Sequence, residues 1–237
     1  MSGEKPNILA VVPAAGVGRR MGGSLPKQYM DLLGVPVIVR TLRRITSHPR
    51  IQKTVVVLAP NDVWFPKCRE QLVDHYVTVE GGKERRSSVL AGIELLTEEY
   101  SAESWVIVHD AARPCVREKD IDALLGSLVD SRVGGILAAP VEDTLKGCDK
   151  DRNILKTIQR ENVWKAFTPQ MFRLGLLRDA LRFSISADLL VTDEAQAIEA
   201  FGETPQVVLG HSDNIKITKP DDLKLAGAIL TMQEEFE

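Results

Sequence analysis

The residues best equipped for chemistry lie in one N-terminal stretch, Pro13-Ala14-Ala15-Gly16-Val17-Gly18-Arg19-Arg20-Met21, followed by Pro26-Lys27-Gln28. An apolar run over 8–12 leads into it and reads as a short buried strand. A loop with so few side chains lets backbone N–H groups come close to a ligand. Arg19, Arg20 and Lys27 give the charge of that ligand, and a polyphosphate fits. The plain alternative is a structural glycine turn. The spacing is not a Walker A loop, because no Gly-Lys-Ser/Thr follows, and the dinucleotide fingerprint fails at Met21.

Three further clusters follow apolar runs. Glu80-Gly81-Gly82-Lys83-Glu84-Arg85-Arg86-Ser87-Ser88 is either a turn starting a helix or a surface whose backbone and Ser88 hydroxyl read a nucleobase edge. His109-Asp110-Ala111-Ala112-Arg113-Pro114 places an acid one step past a strand, where it can hold Mg²⁺ or a ribose hydroxyl. The competing reading is a surface ion pair between Asp110 and Arg113. Asp213-Asn214-Ile215-Lys216-Ile217-Thr218 sets a lysine opposite two apolar neighbours, either solvated or clamping phosphate.

The elements between these clusters must bring them together. Strands are expected at 54–58, 76–79, 105–108 and 135–139, with late strands at 205–209 and 215–218. Helices are expected at 35–47, from Pro60-Asn61-Asp62 toward 74, and at 84–96, 119–129, 174–183, 193–201 and 220–232. Short apolar strands alternating with amphipathic helices predict an α/β fold, a parallel sheet with helices on both faces. In such sheets ligands sit at the carboxyl ends of strands, so loops 16–27, 81–85 and 110–113 converge on one crevice. The alternation breaks at 141–165. There Val141 to Lys146 and Ile154 to Ile158 read as two arms of a hairpin too polar for the sheet centre, projecting to pack on another subunit.

Composition narrows the function. The 237 residues suit one large α/β domain or two small ones and contain no internal repeat or long linker. Thirty basic against 33 acidic residues, a net charge of −3, argues against general nucleic-acid binding. No apolar run approaches the ~18 residues of a membrane span, and the N-terminus lacks a secretory pattern. Cys68, Cys115 and Cys148 form no CxxC, which fits a reducing cytoplasm, and the four histidines lack zinc spacing.

Taken in order, these motifs resemble those of the 2-C-methyl-D-erythritol 4-phosphate cytidylyltransferases of the non-mevalonate isoprenoid pathway. The resemblance rests on the glycine loop, Pro26-Lys27-Gln28, Gly81-Gly82 with Glu84-Arg85, and His109 through Pro114. It continues through Asp143-Thr144, Arg160 with Trp164, Thr168-Pro169-Gln170, Thr192-Asp193-Glu194 and Asp213 through Lys216. It implies a Rossmann-like nucleotidyltransferase fold over 1–237, with a homodimer built through an arm at about 141–161. It implies reaction of CTP with methylerythritol phosphate, giving the CDP-alcohol and pyrophosphate with Mg²⁺ carried mainly on the CTP phosphates. Arg20, Lys27, Arg160 and Lys216 become the catalytic cations. Ala14, Ala15, Gly16, Gly18, Gly82, Lys83, Ser88, Asp110 and Ala111 become CTP contacts. Asp110, Arg113, Thr144, Arg160, Thr168 and Thr192 become contacts of the second substrate. Lys83 stands where an acidic residue is expected, so only its main chain carries over. A ribitol-phosphate cytidylyltransferase shares the glycine loop and Asn214-Ile215-Lys216. The Arg19-Arg20 pair, the Asp-Ala-Ala-Arg-Pro run and the Arg160 to Trp164 spacing favour the methylerythritol enzyme. A non-catalytic nucleotide binder on the same fold is the alternative from another class.

Overall fold

The structure, a computed structural model, describes residues 8–16, 25–72 and 76–236. Its strands are β1 (Ile8–Pro13), β2 (Asp31–Leu32), β3 (Val35–Pro36), β4 (Ile51–Leu58), β5 (Tyr76–Glu80), β6 (Trp105–Val108), β7 (Gly134–Pro140), β8 (Leu145–Cys148), β9 (Ile154–Ile158), β10 (Trp164–Arg173) and β11 (Gln206–Leu209). Its helices are α1 (Val37–Thr46), α2 (Arg85–Thr97), α3 (Glu118–Leu128), α4 (Leu174–Ser186), α5 (Glu194–Ala200) and α6 (Pro220–Phe236).

Seven strands form one sheet in the order β11-β7-β10-β6-β1-β4-β5. Every pairing is parallel except those of β10, which runs antiparallel to both β6 and β7. The near-continuous apolar sequences of β1 and β6 follow from burial on both faces. Leu9 and Val11 pack under α2, α4 and α5, while Ile8 and Ala10 pack on the side of α3. Each such Val or Leu contributes about 1.5–3 kcal/mol when fully buried. Gly92 lets α2 lie close on the sheet, since a Cβ there would stand 2.8 Å from Val11 and 3.0 Å from Val57.

Three segments differ from the sequence reading. The sequence reading places no strand at 164–173, and Pro169, which lacks an N–H donor, is unusual inside a central strand. β10 accommodates it at a register shift between Ala166 and Gln170, where the Thr168–Pro169 peptide is cis. The expected strand at 215–218 does not form. Ile217 instead donates its N–H to the Ala112 carbonyl, and its own carbonyl accepts from Lys27. The helix expected from Pro60 is a 3-10 helix at Phe65–Gln71, whose entry is set by Asp62 accepting from the N–H groups of Trp64 and Phe65.

The arm is a separate two-stranded sheet in which β8 and β9 pair antiparallel, Leu145 opposite Ile158. Ile154, Leu155 and Ile158 are exposed on it.

Candidate active site

The loops after β1, β5 and β6 meet at the carboxyl edge of the sheet, where parallel α/β folds bind ligands. The resulting cleft is lined by Ala14, Ala15 and Gly16 from the first loop and by Gly82, Lys83 and Ser88 from the second. Asp110, Ala111 and Ala112 come from the third, and Lys27 and Lys216 complete it. Gln28 pins the glycine loop by donating from Nε2 to the carbonyls of Ala14 at 2.7 Å and Gly16 at 2.9 Å. Gly81 is small because the loops touch: a Cβ there would stand 2.7 Å from Ser88 Oγ and 2.9 Å from Ala15 Cβ. Ser88 Oγ donates to the Glu84 carbonyl at 3.0 Å, closing the first turn of α2.

Asp110 is the electrostatic centre, with its side chain only 9% exposed. Its Oδ1 accepts from Arg85, and its Oδ2 lies 2.8 Å from Lys216 Nζ and 3.5 Å from Arg113 Nε. Burial by itself would raise this carboxyl, but Arg85, Lys216 and Arg113 together hold it well below the usual range. Lys216 stays 38% exposed and faces the cleft. Lys27, almost the whole chain away in sequence, donates from Nζ to the Ile217 carbonyl at 2.7 Å. Two lysines expected to share a crevice therefore do so.

Beneath the cleft runs a hydrogen-bonded chain. The Thr168 hydroxyl accepts from the Asp110 N–H at 3.0 Å, so its own hydrogen goes to His109 Nδ1 at 3.0 Å. The Nε2–H of His109 then donates to the Arg113 carbonyl at 3.0 Å. Complete burial pushes the imidazole down to about 4, so it is neutral. Asn214 Nδ2 donates to the Thr168 carbonyl, and Arg113 Nη1 donates to the Asn214 carbonyl at 2.6 Å. Thr168 and Arg113, expected at the second substrate, are thus buried under the cleft, the Thr168 hydroxyl hydrogen-bonded and Arg113 held through Nη1, with its Nε facing Asp110 only at 3.5 Å. The Asp110–Arg113 pair is likewise a buried one rather than a surface one.

Thr144, Arg160 and Thr192 stand apart from this cleft in a single chain. Thr144 and Arg160 are exposed at the base of the arm, where Arg160 Nη1 donates to the Glu142 carbonyl. Thr192 is exposed, with its N–H and hydroxyl donating to Gln196 Oε1. Gly18 and Arg20 lie outside the described residues.

Two residues lacked a role in the sequence reading. Arg85 was visible beside Gly81-Gly82, but nothing in its spacing linked it to Asp110. Glu194 was visible within Thr192-Asp193-Glu194, yet its burial against Arg85 depends on how α5 packs.

Among the described residues, the carboxylates lining the cleft are Asp110 and Glu84, both already paired with arginine or lysine. That donor set offers no protein cage for Mg²⁺ but suits an ion held by ligand phosphates, the usual habit of this cation. Among the described residues, His48, Glu118 and Asp122 bring their ligand atoms within 4.8 Å of one another, away from the cleft lining. The Arg50 N–H points at His48 Nδ1 at 3.3 Å, which places the ring proton on Nε2, facing Asp122 at 3.4 Å. The ring thus turns a donor, not a lone pair, toward the carboxylates.

Glycine-lined loops at a parallel sheet edge, with lysines from both ends of the chain, define an α/β protein of the nucleotide-handling class. The family model for 2-C-methyl-D-erythritol 4-phosphate cytidylyltransferase matches residues 8–232. The chain is 46% identical over 234 residues to the protein of that name from Shewanella amazonensis, covering 99% of this chain and 98% of the relative. The solved structure of the Francisella tularensis 2-C-methyl-D-erythritol 4-phosphate cytidylyltransferase superposes with a TM-score of 0.80 at 37% identity, covering 94% and 99% of the two chains. That from Thermus thermophilus gives 0.78 at 28% identity over 95% and 99%. The chain belongs to the 2-C-methyl-D-erythritol 4-phosphate cytidylyltransferase family.

Proposed function

We propose that this cleft transfers the cytidylyl group of CTP to 2-C-methyl-D-erythritol 4-phosphate, releasing pyrophosphate. The observation that carries the reading is the meeting of Lys27 and Lys216 in one cleft with Asp110. The acceptor's phosphate oxygen attacks the α-phosphorus in line. A new P–O bond forms, the bond to the bridging oxygen breaks, and its electron pair leaves on pyrophosphate. Both reactants are anions, so fixed cations first offset their repulsion and then stabilise the charge that builds on the bridging oxygen. Lys27 and Arg20 serve the triphosphate, while Lys216 and Arg160 serve the acceptor phosphate. A phosphate monoester is largely ionised near pH 7, so no strong general base is required. This agrees with the neutral, buried His109. Mg²⁺, carried on the triphosphate oxygens, supplies further charge neutralisation when bound.

Backbone groups of Gly82 and Lys83, with Ser88, face the cytosine. Asp110 and Ala111 face the ribose, and Ala14, Ala15, Gly16 and Gly18 cradle phosphates. Thr144 and Arg160 serve the site of a second copy. An isolated two-stranded hairpin is marginal in water, and the exposed Ile154 and Leu155 on the arm favour cover by a partner. Arg113, Thr168 and Thr192 support the acceptor side through the loops they brace. Work in a reducing cytoplasm suits the free cysteines.

Pyrophosphate release from CTP and Mg²⁺ tests the assignment, with methylerythritol phosphate and ribitol phosphate offered in parallel. Turnover with the first and little with the second is expected. CTP binding without release marks an idle binder, and preference for ribitol phosphate overturns the acceptor.

A further inference from the structure

Glu194 lies outside the cleft lining and is 1% exposed, yet both its oxygens are used on one partner. Oε1 accepts from Arg85 Nη1 at 2.5 Å and Oε2 from Arg85 Nη2 at 3.1 Å. The Nε edge of the same guanidinium then faces Asp110, with Nε and Nη2 each 3.1 Å from Oδ1. An ionised glutamate buried without a partner costs several kcal/mol, so a bidentate arginine is what makes it tolerable there. The support continues behind it. Gln170 Oε1 accepts from the Ala195 N–H, Gln170 Nε2 donates to Asp193, and Asp193 accepts from Gln196 N, which together fix the start of α5.

From this geometry we infer that Glu194 is a positioning residue: it holds the guanidinium of Arg85 so that Asp110 keeps one oxygen for Lys216. Without the carboxylate, the Nη1 group of Arg85 loses its partner and Nη2 keeps only Asp110, so the guanidinium is free to turn and take both Asp110 oxygens. Lys216 then loses its 2.8 Å partner and its place beside the phosphates. The effect reaches the reaction through two intermediaries, Arg85 and Asp110, without any contact between Glu194 and substrate.

The charged groups facing Glu194 are Arg85 from α2, Asp110 beyond β6 and Asp193 beside it. Burial, opposed by Arg85, raises its carboxyl above the usual range. A protonated Glu194 is nearly the same group as a glutamine. The test is therefore the ratio of kcat/KM for methylerythritol phosphate, at saturating CTP, between wild type and Glu194→Gln, followed from pH 8 to pH 5. Titration of the substrates' own phosphates cancels in that ratio. At pH 8 the variant is expected to be roughly tenfold or more slower, the size of losing one charge-assisted pair. The ratio is expected to narrow as pH falls, because protonation takes the same charge from the wild type. A ratio near one at pH 8, or one that widens as pH falls, overturns the inference. If Glu194→Gln does not fold, Glu194→Asp replaces it. That variant keeps the charge but is too short for both Arg85 contacts, and wild-type kcat/KM at pH 8 would overturn the inference equally. The inference rests on the proposed reaction: wild type failing to release pyrophosphate refutes that reaction, whereas an active wild type matched by its variants refutes only the role of Glu194.

Discussion

Lys27 Nζ donates to the carbonyl of Ile217, the residue next to Lys216, at 2.7 Å. The bond joins the loop after the first strand to the segment before the last helix. It places two cations in the cleft before any anion arrives, so little reorganisation is left for the reaction. Asp110 completes the arrangement by holding Lys216 from the other side at 2.8 Å.

Sharing of the site between two copies is checked by mixing Lys27→Ala with Arg160→Ala. Each alone is expected to be nearly inactive. In random exchange half the dimers are mixed, each with one intact site, so roughly a quarter of wild-type activity returns. No recovery despite proven subunit exchange means that Arg160 acts within its own chain or not at all.

Gly81→Ala tests the contact between the first two loops. Its Cβ would meet Ser88 Oγ at 2.7 Å and Ala15 Cβ at 2.9 Å, so the loops must part. Overpacking of this kind costs about 1–3 kcal/mol, and the KM for CTP is expected to rise with it. Urea unfolding and steady-state kinetics read the two effects, and an unchanged KM and midpoint would contradict the close approach.

His109 gives the protein an acid sensitivity of definite sign. Its folded value is pushed down to about 4 against 6.5 for the free side chain, so the unfolded chain binds more protons between those limits. Stability from neutral His109 is complete above pH 6.5 and is lost as pH falls toward 4. The loss between pH 7 and pH 5 is about 2 kcal/mol. Urea unfolding at the two pH values should show this slope in wild type and less of it in His109→Gln. Equal slopes would mean that the imidazole is not held neutral.

Much of this architecture was legible in the chain, for physical reasons that differ by element. Runs such as Val11-Val12 and Trp105-Val106-Ile107-Val108 reveal buried parallel strands because both faces are covered. Lys27 and Asp110 were legible together because each lies in a loop that follows a strand ending at the same sheet edge, whereas Lys216 was read inside a strand that does not form and joined them through the resemblance. β10 was hidden because Pro169 and two buried polar residues, Thr168 and Gln170, disguise a central strand. The bracing by Glu194, Arg85 and Thr168 was also hidden. Hydrogen bonds between distant polar side chains leave no period in a sequence, and exposed and buried threonines look alike until the chain is folded.

The most direct measurement is pyrophosphate release from CTP and methylerythritol phosphate by Lys27→Ala, with its unfolding midpoint recorded alongside. Turnover roughly 100-fold or more below wild type, in a protein as stable as wild type apart from the lost Ile217 hydrogen bond, is the expected result. Turnover within a factor of two of wild type would contradict the claim that cations gathered from distant parts of the chain drive the transfer.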